Sequence, residues 1–304
     1  MISYLRSTHY RPAIKQLDKL KSGSWVRSER PNDDEQEVLT QLGIDYDLLV
    51  DALDPHEVPR VEHDDGWTYF ITRLPDTDDD FNDYTTPIFF ALGKEYIVTV
   101  SRDSLGRLWQ PFIDNTQVST AQRTKMFMLM LEAITRQYQT RVASINRQMR
   151  ATTSDVRTLT SKDIITLTEY ERKLNDYLDA LQPTNTAVEK LLAGKLLPLY
   201  EDDRDLVEDV SIEFEQLIAR CKSLLRTITN VRDSYRAVMD TRLNETIRLL
   251  TVITLAFTAP TMIAGLYGMN VEIPGEHLPY MFWIVVVFSL AISGALGYYF
   301  LRKK

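Results

Sequence analysis

A Gly-Met-Asn tripeptide at residues 268–270 lies between an uncharged apolar segment and a short acidic loop that carries Glu272 and Glu276. The side-chain carbonyl of Asn270 is a neutral oxygen acceptor, which can bind a cation or its water shell and release it again. The two nearby carboxylates raise the local concentration of cations. A neutral, carbonyl-rich motif beside two carboxylates is therefore where function is expected in this sequence.

The apolar segment before the tripeptide carries its polar and small residues at helical spacing. After Asn244 they follow one another in steps of three or four, which keeps them on one helical face. The row comprises Thr254, Thr258, Thr261, Gly265 and Gly268, with the apolar Leu250 at its start. Hydroxyls and glycines on one face indicate either a pore wall or a close helix–helix contact. Because one helix cannot enclose a pore, the pore interpretation requires a homo-oligomer.

Two uncharged segments decide the class of protein. Residues 249–270 and 278–301 are about 22 and about 24 residues long, whereas a helix needs about 20 residues to cross the hydrocarbon core of a bilayer. Both are predicted to be transmembrane helices, although a buried helix of a soluble protein has the same composition. The second carries small residues and no charge, which favours an outer, supporting helix. The small residues are Ser289, Ser293, Gly294 and Gly297.

The distribution of basic residues predicts the orientation of these helices. Arg242 and Arg248 precede the first segment and residues 302–304 (Arg-Lys-Lys) follow the second, whereas the loop between them has no Lys or Arg. The positive-inside rule then places both termini in the cytoplasm of a multi-pass protein of the cell membrane. The single cysteine, Cys221, suits the reducing cytosol.

A long helix is predicted to enter the first transmembrane segment without a break. Apolar residues alternate at spacings of three and four over about four and a half heptads, a pattern typical of helix–helix association. No Pro or Gly interrupts the chain between Pro198 and Pro260. The alternative is a helix that packs on neighbours in its own subunit. The seam comprises Val207, Val210, Phe214, Leu217, Cys221, Leu224, Ile228, Val231, Tyr235 and Val238.

The first part of the chain reads as an α/β domain followed by helices. β-Branched and aromatic runs predict strands at 68–72, 88–92 and 96–100, the last two as a hairpin. Short helices are predicted at 33–42 and 45–53, and 76–80 as an exposed acidic loop. Longer helices are predicted at 120–150 and 161–181, with a break at Pro183, a shorter helix at 188–197 and the main helix starting at Asp202 or Asp203.

Several functional classes are disfavoured by composition. The formal net charge of −8 and the pI near 5.2 argue against nucleic acid as a partner. The four histidines, His9, His56, His63 and His277, lack zinc-ligand spacing, and no glycine-rich phosphate loop or Cys–His pair is evident. We therefore expect no enzyme and no organic cofactor.

The run Ile263-Ala-Gly-Leu-Tyr-Gly-Met-Asn270, together with two C-terminal spans, an acidic loop and a basic tail, resembles the CorA family of magnesium channels. The resemblance implies a homopentameric funnel in a lipid bilayer, with the first span lining the pore. It implies a selectivity filter of Gly268, Met269 and Asn270 at the pore mouth, where Glu272 and Glu276 would recruit cations. It places the family's cytoplasmic pore-entry asparagine at Asn244. It also implies Mg²⁺ as both the transported and the regulatory ion.

A regulatory metal residue is carried over with the resemblance. Counting back from Asn244 places the family's acidic stalk residue at Asp209, with Asp205 and Glu208 as alternatives.

Two departures from the family pattern concern the pore. Pro260 lies one residue later than in the pattern, and Thr258 replaces a larger apolar residue, so tightness at the gate depends on Leu250.

The expected fold is an α+β membrane protein with an N-terminal cytosolic α/β domain at 1–118 and a helical region at 119–202. A stalk helix at 203–248 continues into transmembrane helix 1 at 249–268, an external loop at 269–279, transmembrane helix 2 at 280–301 and a basic tail at 302–304. The predicted function is influx of Mg²⁺, or of Co²⁺ or Ni²⁺, down the electrochemical gradient under control of cytosolic Mg²⁺. The alternatives are a Zn²⁺ transporter of the same superfamily and a non-conducting, membrane-anchored coiled-coil scaffold or sensor.

Overall fold

The computed structural model describes residues 1–8, 11–77, 83–114, 119–194, 196–197, 201–270 and 279–302. The chain divides into two units, Met1–Asn230 and Val231–Lys304. The described helices are α1 Asp33–Gln41, α2 Tyr46–Asp51, α3 Gly106–Asp114, α4 Arg123–Thr152, α5 Ser161–Leu192, α6 Glu201–Tyr267 and α7 Met281–Arg302.

The first unit contains a seven-stranded sheet in the order β2-β1-β3-β7-β6-β5-β4. Neighbouring strands pair antiparallel except β3 and β7, which are parallel. The predicted hairpin at Gly93 is confirmed, since β6 and β7 pair with Leu92 opposite Ile97. The sequence interpretation missed the first four strands. The strands are β1 Ile2–Thr8, β2 Arg11–Leu17, β3 Trp25–Glu29, β4 Arg60–Asp64, β5 Trp67–Thr77, β6 Asp83–Leu92 and β7 Ile97–Ser101.

Side chains that alternate along the central strands fill two apolar layers, one on each face of the sheet. Tyr69 and Ile71 of β5 belong to the layer beneath α1 and α2, where Leu39 and Leu49 are fully buried. Both short helices match the prediction, and each begins at an Asn or Asp that accepts a hydrogen bond from the first turn.

The opposite face of the sheet packs on α4 and α5. Phe70 and Phe90 lie edge-on to Phe127 of α4, with ring centroids 5.2 and 5.1 Å apart. The hydroxyl of Thr72 lies 2.8 Å from that of Thr184 in α5. The two long helices are therefore fixed to the sheet by aromatic packing and a buried hydrogen bond.

The prediction that Pro183 breaks the helical region is wrong. Helix α5 runs without interruption through Pro183 to Leu192, where separate helices at 161–181 and 188–197 were expected. Proline in a helix interior removes one hydrogen bond and costs about 3 kcal/mol. Leu181 and Val188 are fully buried on either side of Pro183, and burial of such side chains contributes about 1.5–3 kcal/mol each, which offsets that cost.

Helix α6 confirms a long continuous helix, beginning at Glu201, one to two residues before the predicted start. Its apolar seam is buried within the unit Met1–Asn230 as far as Ile228, so packing inside the subunit accounts for this stretch. Beyond it, Val231, Tyr235 and Val238 are only half-buried. Association of stalk helices between subunits stays a prediction. The buried positions are Val207, Val210, Phe214, Leu217, Cys221, Leu224 and Ile228.

The second unit contains the end of α6 and the whole of α7. Both helices are long and apolar enough to cross a membrane, with mean hydropathy of 1.9 and 2.0 in their most apolar stretches. The predicted bounds at 268, 280 and 301 lie within one residue of the helix ends at Tyr267, Met281 and Arg302. The start of the first span at 249 lies inside α6 and stays a prediction. The acidic loop from Val271 to Leu278, with Glu272 and Glu276, lies outside the described residues, as do His9, 78–80, Lys303 and Lys304.

Candidate functional site

Three threonines of α6 form an exposed row of hydrogen-bond acceptors. The hydroxyls of Thr254, Thr258 and Thr261 each donate to the backbone carbonyl four residues earlier, at 2.9, 2.8 and 2.8 Å. A hydroxyl has one proton and two lone pairs. Because each proton is used within the helix, each oxygen presents acceptor lone pairs to its surroundings. Water molecules bound to a cation point their hydrogens outward and match such a surface.

The opposite side of the same helix is covered. Val252 is 7% exposed, and Ala256, Ala259 and Ile263 are half-buried. A helix turns by about 100° per residue, so these positions centre about 180° from the threonine row. The apolar part of α6 therefore has one covered face and, opposite to it, one open face that carries the hydroxyls.

Helix α7 lies beside the covered face of α6. Arg248 Nη2 donates a 2.7 Å hydrogen bond to the carbonyl of Phe300 near the end of α7. Ser289 is 7% exposed, and Ser293 and Gly297 are half-buried at the same four-residue spacing, whereas Gly294 is exposed. The small residues Ser289, Ser293 and Gly297 thus form the close-packing face of α7. The threonine row of α6 is not a seam with the second span of its own chain.

The remaining predicted pore-lining residues are exposed, but not all lie in line. Gly265 and Leu250, the latter 64% exposed, share the open face with the threonines. Asn244 is also exposed, yet the six-residue step to Leu250 places it about 90° around the helix from the centre of that face. Leu243 and Ile247, 58% and 52% exposed, continue the face instead. The sequence interpretation missed them because it searched for polar residues.

The predicted filter follows directly after the end of α6. The amide of Gly268 donates to the carbonyl of Ala264 at 2.9 Å, and that of Met269 donates to Leu266 at 3.4 Å. A Cβ atom at Gly268 would lie only 3.2 Å from the Ala264 carbonyl oxygen. Glycine therefore permits a close approach of backbone at this position. Asn270 follows as an exposed residue, three positions beyond the end of α6.

Asp209 lies on α6 at a cavity of about 330 Å³ that is also lined by Glu132 of α4 and by Glu213. Partial burial, followed by repulsion from Glu132, raises the pKa of Glu213, and Asp209 adds to this effect while Arg136 opposes it. Arg136 forms an ion pair with Glu132. The three carboxylates therefore create a negative field at this end of the helix.

The described residues of one chain do not provide a complete metal-binding set. Across the described parts of the chain, no group of three or more His, Cys, Asp or Glu side chains is arranged to hold a metal ion. Asp209, Asp205 and Glu208 are exposed on α6. A cation bound at Asp209 would consequently need further ligands from water or from a second copy. Glu132 and Glu213 could not be found from sequence, because the alignment of α4 beside α6 is set by tertiary packing.

Known proteins resemble this chain over almost its full length. The cobalt/magnesium transport protein CorA of Methanocaldococcus jannaschii is 26% identical over 287 residues, covering 92% of this chain and 90% of that protein. The CorA protein of Thermotoga maritima, with the same description, is 22% identical over 281 residues and covers 86% and 77%. The complete structure of the M. jannaschii CorA magnesium transporter superposes with a TM-score of 0.88 at 21% identity, covering 100% of this chain and 98% of that one.

The family assignment agrees with the architecture. The structural match covers an N-terminal α/β domain, the long helix α6 and the terminal helix α7, and these two helices contain the two apolar stretches. Residues 21–303 match the family described as CorA-like Mg2+ transporter protein. This match includes five of the seven strands, β3 to β7, and both the long helix α6 and the apolar helix α7. The chain is therefore a membrane protein that belongs to the CorA-like Mg²⁺ transporter family.

Proposed function

We propose that five copies of this chain form a channel in the cell membrane, with α6 of each copy lining a central pore for Mg²⁺. The observation that carries this proposal is the open face of α6, which presents Thr254, Thr258 and Thr261 on the side opposite to the face that α7 covers. Hydroxyl groups facing lipid would gain nothing, whereas a ring of copies would place them around water.

The proposed filter is a ring of Asn270 side chains above Gly268 and Met269. Mg²⁺ is small and loses its water shell reluctantly, so neutral carbonyl oxygens that bind its waters select the ion without holding it. Conduction requires release as well as binding. Glu272 and Glu276 concentrate cations outside the filter through their negative field, and the threonine oxygens then accept hydrogen bonds from the water shell of the passing ion.

The membrane potential supplies the driving force for influx. With both termini in the cytoplasm and the Asn270 ring outside, two charges moving inward across 100 mV gain about 4.6 kcal/mol, from about 2.3 kcal/mol per charge. No organic cofactor is needed for this movement. The basic residues Arg242, Arg248 and Arg302 support the orientation, since they flank the cytoplasmic ends of the two spans.

Cytosolic Mg²⁺ is proposed to regulate the pore through Asp209. The ion bridges Asp209 of one subunit to carboxylates of the next when its concentration is high, and this bridge holds the pore closed at Leu250. When Mg²⁺ falls, repulsion between carboxylates loosens the subunits. The field from Glu132 and Glu213 supports this role, because neighbouring negative charge favours a divalent cation beside Asp209.

Co²⁺ is the second candidate ion. The relatives in M. jannaschii and T. maritima are described as cobalt/magnesium transport proteins, and the hydrated forms of both ions present the same outward-pointing water hydrogens to oxygen acceptors. A filter that binds hydrated ions discriminates weakly between them. We therefore expect Co²⁺ to enter by the same route as Mg²⁺ and to compete with it.

Flux into proteoliposomes tests the proposal. Vesicles that contain the full-length protein and a Mg²⁺-sensitive dye are given an inside-negative potential, and wild type is compared with Asn270→Ala. We expect rapid Mg²⁺ influx that falls at least about tenfold in the variant, because each ring loses five acceptors. The control is Asn230→Ala, a change of the same type in the first unit, which should conduct like wild type.

The same assay separates the alternatives. Influx of Zn²⁺ without Mg²⁺ would replace the proposal with a zinc transporter. No influx of Mg²⁺, Co²⁺ or Zn²⁺ at any internal Mg²⁺ concentration would support the non-conducting scaffold. Unchanged influx in Asn270→Ala would mean that residues 268–270 do not form the selectivity filter.

A further inference from the structure

A second polar cavity lies in the first unit and shares no lining residue with the cavity at Asp209. It has a volume of about 300 Å³ and is bounded by the turn between β4 and β5, the turn between β6 and β7, and the start of α4. The residues that line it and enter the argument are His63, Thr68, Gly93, Lys94, Arg123 and Thr124.

The lining of this cavity is basic in an acidic protein. Lys94 and Arg123 bring two positive charges, and His63 brings a third group able to carry one. No Asp or Glu occurs among the described residues that line it, although the whole chain has a net charge of −8. Positive groups that converge on a concave surface without a carboxylate repel one another, and an anion between them removes that repulsion.

Arg123 is held in position at the edge of the cavity. Its guanidinium donates to the carbonyl of Gly93, in the turn between β6 and β7. This turn is itself fixed by packing, because a Cβ atom at Gly93 would lie 2.7 Å from the ring of Trp67. A guanidinium has five N–H donors in a planar fork, so the bond to Gly93 anchors Arg123 and leaves further donors of the fork to face a ligand.

The hydrogen bonds of Thr68 fix the orientation of His63. The Thr68 hydroxyl donates to the carbonyl of Leu196 at 2.5 Å and lies 3.0 Å from His63 Nδ1. Since the Thr68 proton is used, Thr68 Oγ1 accepts from Nδ1–H, which assigns the proton to Nδ1 by the network. The other ring nitrogen, Nε2, then remains for a ligand, and it donates when the ring is charged.

The first turn of α4 adds to the positive field. Gln122 precedes the helix and its side chain makes no capping hydrogen bond, and the first turn has no acidic residue. Instead it contains Arg123 and Lys125. Cations at a helix N-terminus oppose the helix dipole, and a bound anion reverses this unfavourable interaction while accepting from backbone N–H groups and from Thr124.

From the cavity and its three converging basic side chains we propose a binding site for a phosphate group, either inorganic phosphate or the phosphate of a nucleotide. Two or three charges, the hydroxyl of Thr124 and a volume several times that of one phosphate suit a dianion with or without an attached group. The site is independent of ion conduction, so its test neither needs nor assesses the proposed channel.

Titration calorimetry on the full-length protein in detergent tests this site. Inorganic phosphate and ADP are each titrated in 150 mM KCl with EDTA, so that general anion attraction is screened and Mg²⁺ complexes are absent. We expect wild type to be half-saturated below about 1 mM. Lys94→Gln should weaken binding about tenfold through loss of a charge-assisted bond.

The matched control is Lys125→Gln. This variant removes the same charge from the first turn of α4, but Lys125 does not line the cavity, so affinity should change less than about twofold. If phosphate and ADP bind equally tightly, the ligand of the site is inorganic phosphate. If ADP binds more tightly, the ligand is a nucleotide. The proposal is overturned if neither ligand binds wild type below about 10 mM, or if Lys125→Gln weakens binding as much as Lys94→Gln.

Discussion

The guanidinium of Arg248 donates a 2.7 Å hydrogen bond to the backbone carbonyl of Phe300. Arg248 is the last charged residue before the apolar stretch of α6, and Phe300 lies in the last turn of α7, so this bond joins the two helices. Carbonyls in the last turn of a helix lack partners within the helix and carry partial negative charge. An arginine from the neighbouring helix satisfies one of them where water is scarce. This contact fixes the depth of α7 relative to α6 and keeps the covered face of α6 turned towards α7.

Arg248→Gln is expected to weaken the pairing of the two membrane helices. Loss of a charge-assisted hydrogen bond costs about 1.5–3 kcal/mol, so the full-length protein in detergent should melt several degrees below wild type. Arg302→Gln is the comparison, since its described contacts stay within α7, at Tyr298, and its melting temperature should fall less. Equal melting temperatures for Arg248→Gln and wild type would mean that the contact contributes no stability.

Replacing Thr258 by valine is expected to slow Mg²⁺ influx while preserving the fold. Valine has nearly the shape of threonine but no acceptor oxygen, so the water shell of the ion loses one partner in each subunit. We expect at least about a threefold fall in flux in the proteoliposome assay, equivalent to about 0.6 kcal/mol.

The control for this prediction is Thr241→Val. Thr241 makes the same hydrogen bond to the carbonyl four residues earlier, at 2.9 Å, but lies before the apolar stretch and about 150° around the helix from the threonine row. Its flux should match wild type. A fall in both variants alike would point to a general effect of the substitution on α6 and not to a pore-facing oxygen.

Much of the fold follows from local patterns in the sequence. The β-branched runs that became β5, β6 and β7, and the Asn32 and Asp45 caps of α1 and α2, are local signals that the packed structure preserves. Strand β4, with its charged residues, lacks such a pattern and is defined by pairing with β5. Pro183 shows the reverse case, where burial on both sides of a helix overrides a local helix breaker.

The candidate site was only partly accessible from sequence. The helical repeat alone predicts that Thr254, Thr258, Thr261 and Gly265 share one face of α6. Only the structure shows that α7 covers the opposite face. By contrast, the proximity of Glu132 to Asp209 depends on packing between α4 and α6, which no spacing along the chain encodes. The apolar seam also had two interpretations in sequence, and burial of Phe214 and Ile228 assigns that part to packing within one subunit.

Asp209→Asn is expected to raise the cytosolic Mg²⁺ concentration needed for half-closure. Removing one carboxylate weakens the binding of the bridging ion at every interface between subunits. A loss of about 1 kcal/mol of binding free energy corresponds to about a fivefold rise in the Mg²⁺ concentration for half-closure. Flux is measured at a series of internal Mg²⁺ concentrations. Glu215→Gln, an exposed acid on the same helix, is the control, and an unchanged half-closure concentration in Asp209→Asn would remove Asp209 from regulation.

Asp176 is expected to make stability depend on pH. Partial burial, opposed by Arg172 and reinforced by Asp179, raises the pKa of Asp176 above its ordinary value of 3.8. A carboxyl with a raised pKa in the folded state favours folding when protonated, so this contribution is present below pH 3.8 and is lost as pH rises through the folded pKa.

The substitution that tests this effect is Asp176→Asn, which stays neutral at every pH. At pH 7 the free energy of unfolding of the variant should exceed that of wild type, by less than about 1 kcal/mol because the group is largely solvated. This difference should shrink as the pH falls towards 4. Glu169→Gln, at an exposed position of α5, should show no such trend. A variant less stable than wild type at pH 7 would mean that the Arg172 and Arg73 interactions outweigh burial.

Alanine is expected to have opposite effects at the two glycines near the end of α6. At Gly265 a Cβ atom meets nothing within 4 Å outside the backbone of its own helical turn, whereas at Gly268, beyond the end of α6, it would lie 3.2 Å from the carbonyl oxygen of Ala264. Alanine in an open helical position is about 1 kcal/mol more favourable than glycine, so Gly265→Ala should raise the melting temperature. Gly268→Ala requires the Ala264 carbonyl to move by a few tenths of an ångström, and we expect it to lower both the melting temperature and Mg²⁺ influx. Similar gains in stability for both variants would show that the end of α6 yields without strain, and that Gly268 is not needed for its close backbone approach.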